Sequence, residues 1–121
     1  MKIALSAKGN NLKSPLDLRF GRCDQFLIYD LETEDLKIID NKGKESSGGA
    51  GIAASQQLID ESVEVVITGN TGPNAYDLLS DSGIKIYKGR EASCGELIES
   101  YKKGELPRIK EAGPAYHGGG R

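Results

Sequence analysis

The feature of this sequence that most limits its fold is the run Val63–Thr68, which is rich in β-branched residues. Such a run is typical of a strand covered on both faces, because its apolar residues follow one another instead of alternating with polar ones. A turn over Gly69–Pro73 follows, and then a helical pattern with three apolar residues on one side: Ala75, Leu78 and Leu79. Pro73 suits the first helical position, and Gly83 suits the end of the helix.

The N-terminal half has a different pattern. Lys2–Ala7 alternates polar and apolar residues, which predicts a strand. Gln25–Leu31 reads as a mostly buried strand, and Leu36–Asp40 pairs with it across a polar turn as a β-hairpin. After a stretch rich in Gly and Ser, we expect a helix over about Ala50–Glu61 that points three residues inward: Ile52, Leu58 and Ile59.

Two further elements complete the predicted fold. Ile84–Tyr87 reads as a short strand, and Ser93 and Glu96 have the spacing of a capping box that opens a last helix. A hairpin followed by alternating strands and helices predicts an α/β protein with a mixed sheet between helical layers. The 121 residues suit one domain, which we expect over 1–105. Residues 106–121 have little to bury, and we expect a flexible tail there.

Composition excludes several classes of protein. Sixteen Lys and Arg against 18 Asp and Glu give a formal net charge of −2, which offers no basic field for nucleic acid. The apolar run Ile3–Leu5 is too short for a signal core or a membrane span, so we expect no membrane association. The two cysteines make no disulfide framework, and we expect a cytoplasmic protein with both thiols reduced.

A long polar stretch, Lys8–Arg22, leads to a candidate binding motif. At its end, Arg19-Phe20-Gly21-Arg22-Cys23 places two guanidinium groups and a thiol within five residues. Arginine is a permanent cation with directed donors, and a thiolate is a soft metal ligand, so the motif suits an anionic metal–sulfur species. The structural alternative is a loop with two solvated arginines and a small buried cysteine.

Two glycine-rich turns precede helices and form a second set of candidates. They are Ser46–Gly51, with Gly48, Gly49 and Gly51, and Gly69–Asn74, with Gly72, Pro73 and Asn74. Each would place unpaired backbone N–H groups at the positive end of a helix dipole, where anions bind. Neither turn carries a nucleotide-binding signature, since the P-loop Lys is missing and no G-x-G-x-x-G follows the first strand. Tight turns without a ligand are the alternative.

Catalytic residues are not evident. Cys94 follows the Ser93 cap, where the helix dipole would favour the thiolate, so it is either a second soft ligand or an incidental small residue. The one histidine, His117, lies in the glycine-rich tail, so a Ser/His/Asp set has no His in the folded part. The first strand has no carboxylate for two-metal nuclease chemistry. We therefore expect a binding protein and not an enzyme.

The motifs together resemble those of a known family. Asp17 and Arg19–Cys23, then Gly48–Ile52, Gly72–Ala75 and Gly83–Tyr87, occur in the order found in the dinitrogenase iron–molybdenum cofactor biosynthesis family. That family includes nitrogenase accessory carriers and the small orange protein, which holds a molybdenum–copper–sulfide cluster. The resemblance covers about residues 1–105. Ser62 stands where the family commonly has Gly before a strand.

The resemblance implies a fold and a cofactor. It implies a ribonuclease-H-like, three-layer α/β/α fold with a five-stranded mixed sheet. It also implies noncovalent binding of an iron–molybdenum or molybdenum–copper sulfide cluster, or of a precursor. By position, the implied binding residues lie in the three motifs, with Cys23 as an optional soft ligand: Arg19, Phe20, Gly21, Arg22, Gly48, Gly49, Gly51, Gly72, Pro73 and Asn74.

Two functions follow as hypotheses. The first is a small carrier or chaperone of an anionic metal–sulfur cofactor, acting as a monomer or weak homodimer. The second is an interaction or regulatory module that binds a cluster-assembly protein or ATPase and no cofactor itself.

Overall fold

The computed structural model describes residues 1–44 and 48–112. Five strands and three α-helices occur in the predicted order, and their bounds are β1 Lys2–Ala7, β2 Gln25–Asp30, β3 Leu36–Asp40, α1 Ala50–Asp60, β4 Val65–Thr68, α2 Gly72–Asp81, β5 Lys85–Lys88 and α3 Cys94–Lys102. A short 3₁₀ helix, Phe20–Arg22, precedes β2. No helix among these residues is long and apolar enough to cross a bilayer.

The strands form one mixed sheet in the order β3-β2-β1-β4-β5. β1 and β3 run antiparallel to β2, whereas β4 pairs in parallel with β1 and with β5. The first three strands form an antiparallel meander in which β2 and β3 are the predicted hairpin, and the parallel half is connected through helices. This is the predicted ribonuclease-H-like arrangement.

Both faces of the sheet are covered, which explains the β-branched run. Val66 faces a core shared with α1 and α2, whereas Val65 and Ile67 face a second core shared with α3. Consecutive strand residues point to opposite faces, so a strand between two helical layers needs apolar residues at every position. The α/β/α layering of the prediction is confirmed.

β4 begins two residues later than the predicted strand. Ser62 has a φ of 61° after the end of α1, and the N–H of Val63 donates to the Leu58 carbonyl at 3.3 Å. Val63 therefore belongs to the helix end rather than to the sheet. Glycine adopts this left-handed conformation without strain, which agrees with the Gly that the family resemblance implies at position 62.

The predicted boundary of the tail is wrong for its first residues. Leu106 is buried, the Lys88 N–H donates to the Pro107 carbonyl at 2.8 Å, and the Ile109 N–H donates to the Ile86 carbonyl at 2.8 Å. Residues 106–109 thus pair with the free edge of β5. Residues 113–121, with His117, lie outside the described residues.

Candidate functional site

A cavity of about 390 Å³ lies between the 3₁₀ helix and the starts of α1 and α2. Nine of the ten predicted binding residues line it: Arg19, Gly21, Arg22, Gly48, Gly49, Gly51, Gly72, Pro73 and Asn74. A second depression lies near Tyr87 and Tyr101 and contains none of them. Three motifs that are far apart in the sequence therefore meet in one place.

Glycine contacts bring the three segments together. A Cβ on Gly21 would lie 2.9 Å from the Gly51 amide nitrogen, so the 3₁₀ helix touches the backbone of α1. A Cβ on Gly51 would lie 3.1 Å from the Ala75 Cβ, so α1 in turn touches the first turn of α2. Any larger residue at these positions would push the segments apart. The glycines are needed for the close approach that shapes the cavity.

Among the described residues, the N-cap residues of the two helices at the cavity make no side-chain capping hydrogen bond, although the Gly72 N–H of α2 donates to Asn70 Oδ1 at 3.4 Å. The N-cap of α1 is Gly49, with a φ of 74°, and the N-cap of α2 is Thr71. In α3, by contrast, Ser93 and Glu96 form the complete predicted capping box. First-turn N–H groups that no side chain satisfies can bind an anion, with the helix dipole in support.

Arg19 is held in place by Asp17, a buried carboxylate beside the cavity. Asp17 Oδ1 accepts the Arg19 backbone N–H at 3.0 Å and Nε at 3.2 Å, and Oδ2 accepts Nη2 at 3.2 Å. These hydrogen bonds, and then the charge of the carboxylate, raise the pKa of Arg19. The pair fixes the guanidinium plane while 57% of the arginine side chain stays exposed.

The second arginine is tied to the segment that leads toward α1. Arg22 Nη1 donates to the Lys44 carbonyl at 2.9 Å, and Arg22 also lines the cavity. Asn41 Nδ2 donates to the carbonyls of Gly21 and Cys23, both at 3.0 Å. The loop that carries both arginines is therefore anchored to its neighbours.

Phe20 does not line the cavity, which corrects its predicted role. Its side chain is fully buried, and its ring packs against Phe26 with 5.3 Å between centroids. Phe20 anchors the arginine loop to the core instead of contacting a ligand.

Cys23 is not placed as a metal ligand. It is fully buried in the core that includes Phe20 and Phe26, and its Sγ–H donates to the Phe20 carbonyl at 3.4 Å. Desolvation raises the pKa of this thiol to about 12, so the neutral form dominates.

Cys94 is not placed as a metal ligand either. It lies in the core on the opposite face of the sheet, and burial raises its pKa to about 11. Desolvation disfavours the thiolate that the helix dipole was expected to favour.

Sequence reasoning missed several residues of the cavity wall, including Ile52, Asn70 and Thr71. Ile52 was predicted to face the core but is 45% exposed, because α1 turns its first residues toward the cavity. Asn70 and Thr71 belong to the recognised Gly69–Asn74 turn, so their position in that turn was the available signal.

The donor set indicates the chemistry that the cavity can accommodate. Among the described residues that line it there is no Asp, Glu, His or Cys, and no group of three such residues anywhere in the described chain could hold a metal ion. The polar groups of the lining are backbone N–H groups and the side chains of five residues: the guanidinium groups of Arg19 and Arg22, the amides of Asn70 and Asn74, and the hydroxyl of Thr71. Such a site suits an anion that brings its own metal coordination.

Comparison with known proteins gives a consistent result. The family described as dinitrogenase iron-molybdenum cofactor matches residues 1–104. An uncharacterized protein of Methanocaldococcus jannaschii is 34% identical over 113 residues, which are 91% of this chain and 92% of that protein.

Two solved structures resemble this one closely. The apo form of the orange protein from Desulfovibrio gigas is 32% identical, with a TM-score of 0.89 over 93% of this chain and 95% of that one. A NifB-like protein from Thermotoga is 28% identical, with a TM-score of 0.82 over 93% of this chain and 96% of that one.

Proposed function

The chain belongs to the dinitrogenase iron-molybdenum cofactor family, and on that premise we propose that it is a small carrier of an anionic metal–sulfur cofactor. The cargo is an iron–molybdenum or molybdenum–copper sulfide species, or a precursor of one, held without a covalent bond in the cavity between α1 and α2. The protein acts in the cytoplasm and delivers the cargo to proteins that assemble metal clusters. It performs no catalysis on it.

One observation carries this proposal: two uncapped helix starts and two arginines face one cavity that contains no acidic side chain among its described lining residues. Metal–sulfide clusters are negatively charged, and their sulfides accept hydrogen bonds from N–H donors. Backbone N–H groups and guanidinium groups supply such donors in fixed directions. Apolar contacts from Ile52 and Pro73 complement the weakly hydrated sulfur surface.

The lack of protein metal ligands in the cavity suits transport. A carrier must release its cargo, and hydrogen bonds break more easily than bonds from cysteine or histidine to the metal. The buried thiol of Cys23 supports the same view, because reaching the cargo would require the core around Phe20 to open. We therefore propose that the cluster arrives assembled and leaves unchanged.

Anaerobic reconstitution tests the proposal directly. The protein is incubated with combinations of iron, molybdate, copper and sulfide and then passed through a size-exclusion column. We expect visible absorbance to elute with the protein for at least one combination. A colourless protein fraction under every combination would contradict the carrier function.

A charge variant makes the test specific to the cavity. Arg22→Gln removes one cation from the lining, whereas Arg90→Gln removes an exposed cation that does not line it. With tetrathiomolybdate as the probe, we expect Arg22→Gln to weaken binding about tenfold, the value of a charge-assisted hydrogen bond. Arg90→Gln should bind like the wild type, and equal losses in both variants would indicate nonspecific attraction.

The exposed rim favours a second candidate, an interaction module without a cofactor. Ile52 is exposed at the mouth of the cavity beside Pro73, where a partner protein could pack. A pull-down from host extract with elemental analysis separates the two functions. The interaction module requires a stoichiometric protein partner without metal, whereas the carrier requires bound metal.

A further inference from the structure

Thr71 has a hydroxyl group that the fold leaves without a partner. The residue is the N-cap of α2, lines the cavity and is only 8% exposed. Within the described part of the chain, its Oγ1 is the one buried side-chain oxygen or nitrogen that makes no hydrogen bond. Buried polar groups in native proteins are nearly always paired, so this exception requires an explanation.

The missing hydrogen bond has a local cause. An N-cap threonine normally has an extended backbone that lets its side chain accept a first-turn N–H. Thr71 instead has φ −98° and ψ −23°, which is helical, and its side chain caps nothing. The Gly72 N–H points to Asn70 Oδ1 at 3.4 Å. An N-cap hydroxyl usually accepts the N–H of the second or third helical residue, and the second residue of α2 is Pro73, which has no N–H.

The backbone beside Thr71 is held, so the residue does not move to find a protein partner. The Asn70 N–H donates to the Leu18 carbonyl at 2.9 Å, and the Phe20 N–H donates to the Asn70 carbonyl at 3.2 Å. The first turn of α1 closes the other side, where a Cβ on Gly51 would lie 3.7 Å from the Thr71 carbonyl oxygen. Rotation about the Cα–Cβ bond would move the hydroxyl among the three staggered positions without any change of the backbone.

We propose that Thr71 is a specificity-determining residue of the cavity, whose hydroxyl donates a hydrogen bond to the bound anion. This inference rests on the proposed carrier function. Thr71 lies at the start of α2 next to the first turn of α1, so its hydroxyl is a neutral donor close to both helix starts. A sulfide or oxide of the cargo is the acceptor that the fold itself does not supply.

Three variants test this role with tetrathiomolybdate as the probe. Thr71→Val keeps the shape and removes the donor, and we expect the Kd to rise about ten- to a hundredfold, the value of a hydrogen bond to a charged group. The melting temperature of the free protein should stay the same or rise, because an unpaired hydroxyl has been removed. Thr71→Ser keeps the donor and should bind within about threefold of the wild type.

A matched control separates this role from a structural one. Thr68 is fully buried, but its Oγ1 pairs with Ser6 Oγ at 2.7 Å and the residue does not line the cavity. Thr68→Val should lower the melting temperature by about 5 °C and leave the Kd unchanged.

Each adverse outcome has a distinct meaning. If Thr71→Val bound the probe as tightly as the wild type, the role of Thr71 would be refuted while the carrier function stood. If Thr71→Val instead lost stability together with affinity, Thr71 would be a structural residue. If the folded wild type bound no probe, the carrier function itself would fail and this inference with it.

Discussion

Cys23 and Cys94 lie on opposite faces of the sheet, and each is enclosed by apolar side chains. Burial raises the pKa of Cys23 to about 12 and that of Cys94 to about 11, from an ordinary value of 9.0. A thiol that cannot ionise in the native state is a poor metal ligand and a poor nucleophile, because the thiolate is the reactive form. At the scale of single residues, desolvation therefore decides the chemistry of both cysteines.

The same shifts predict a loss of stability in alkali. Above pH 9 the thiols ionise in the unfolded chain but stay neutral in the native protein, so rising pH favours unfolding. Stability is complete below pH 9 and declines toward pH 11–12. We expect the free energy of unfolding to fall by about 1 kcal/mol per thiol between pH 8 and pH 10. Urea denaturation at both pH values measures it.

The double variant Cys23→Ala, Cys94→Ala is the control for this prediction. Other titrating groups are unchanged in it, so the difference between its pH dependence and that of the wild type belongs to the two thiols. An identical fall in both proteins would contradict the assigned burial effect.

At the scale of elements, α1 and α2 differ from α3 in how they begin. The first two start at the cavity with no side-chain cap, and α3 starts away from it with a complete capping box. A cap stabilises a helix by about 1 kcal/mol, so its absence at two neighbouring helices leaves stabilisation for a ligand to provide. The uncapped starts are thus a feature of the cavity that the proposed function uses.

Asn74→Asp should separate helix stability from anion binding. Asn74 lies exposed in the first turn of α2 and lines the cavity. A carboxylate there favours the helix dipole, so we expect the free energy of unfolding to rise by about 0.3–1 kcal/mol. The same charge repels an anion, so tetrathiomolybdate binding should weaken about tenfold. Denaturation and a binding titration on one sample measure both effects.

Asn74→Gln provides the neutral comparison for that variant. It keeps an amide in the same turn. Its free energy of unfolding and its affinity for tetrathiomolybdate should both change less than those of Asn74→Asp. Undiminished binding by Asn74→Asp would mean that the anion does not sit at the start of α2.

At the scale of the whole molecule, the sheet separates two cores and residues 106–109 extend its β5 edge. Leu106 belongs to the core beside α3, and Ile109 packs against the core on the other face. The segment therefore touches both cores around the edge of the sheet. An edge strand that is covered in this way presents fewer unpaired backbone groups to other chains.

Truncation measures the contribution of this segment. A chain that ends at Glu105 loses the burial of Leu106 and the two backbone hydrogen bonds to β5. We expect its free energy of unfolding to fall by about 2–4 kcal/mol. A chain that ends at Ala112 keeps every described contact and should match the wild type. Equal stability of the two truncated chains would show that 106–109 does not support the fold.

The sequence by itself predicted the layered fold and most of the cavity wall. The signals that predicted the elements are local, because residues close together in the sequence produce them. They are the spacing of apolar residues in strands and helices, the glycines of the turns, and the Ser93–Glu96 spacing at the start of the last helix. The three motifs that now meet between α1 and α2 were also visible as glycine-rich turns and paired arginines.

Only the tertiary structure decided which atoms face the cavity. Phe20 and Cys23 turn into the core while Arg19 and Arg22 beside them line the site, and Ile52 turns outward although its helix is amphipathic. Burial and long-range contact depend on how the elements pack, and no local pattern of residues encodes that packing.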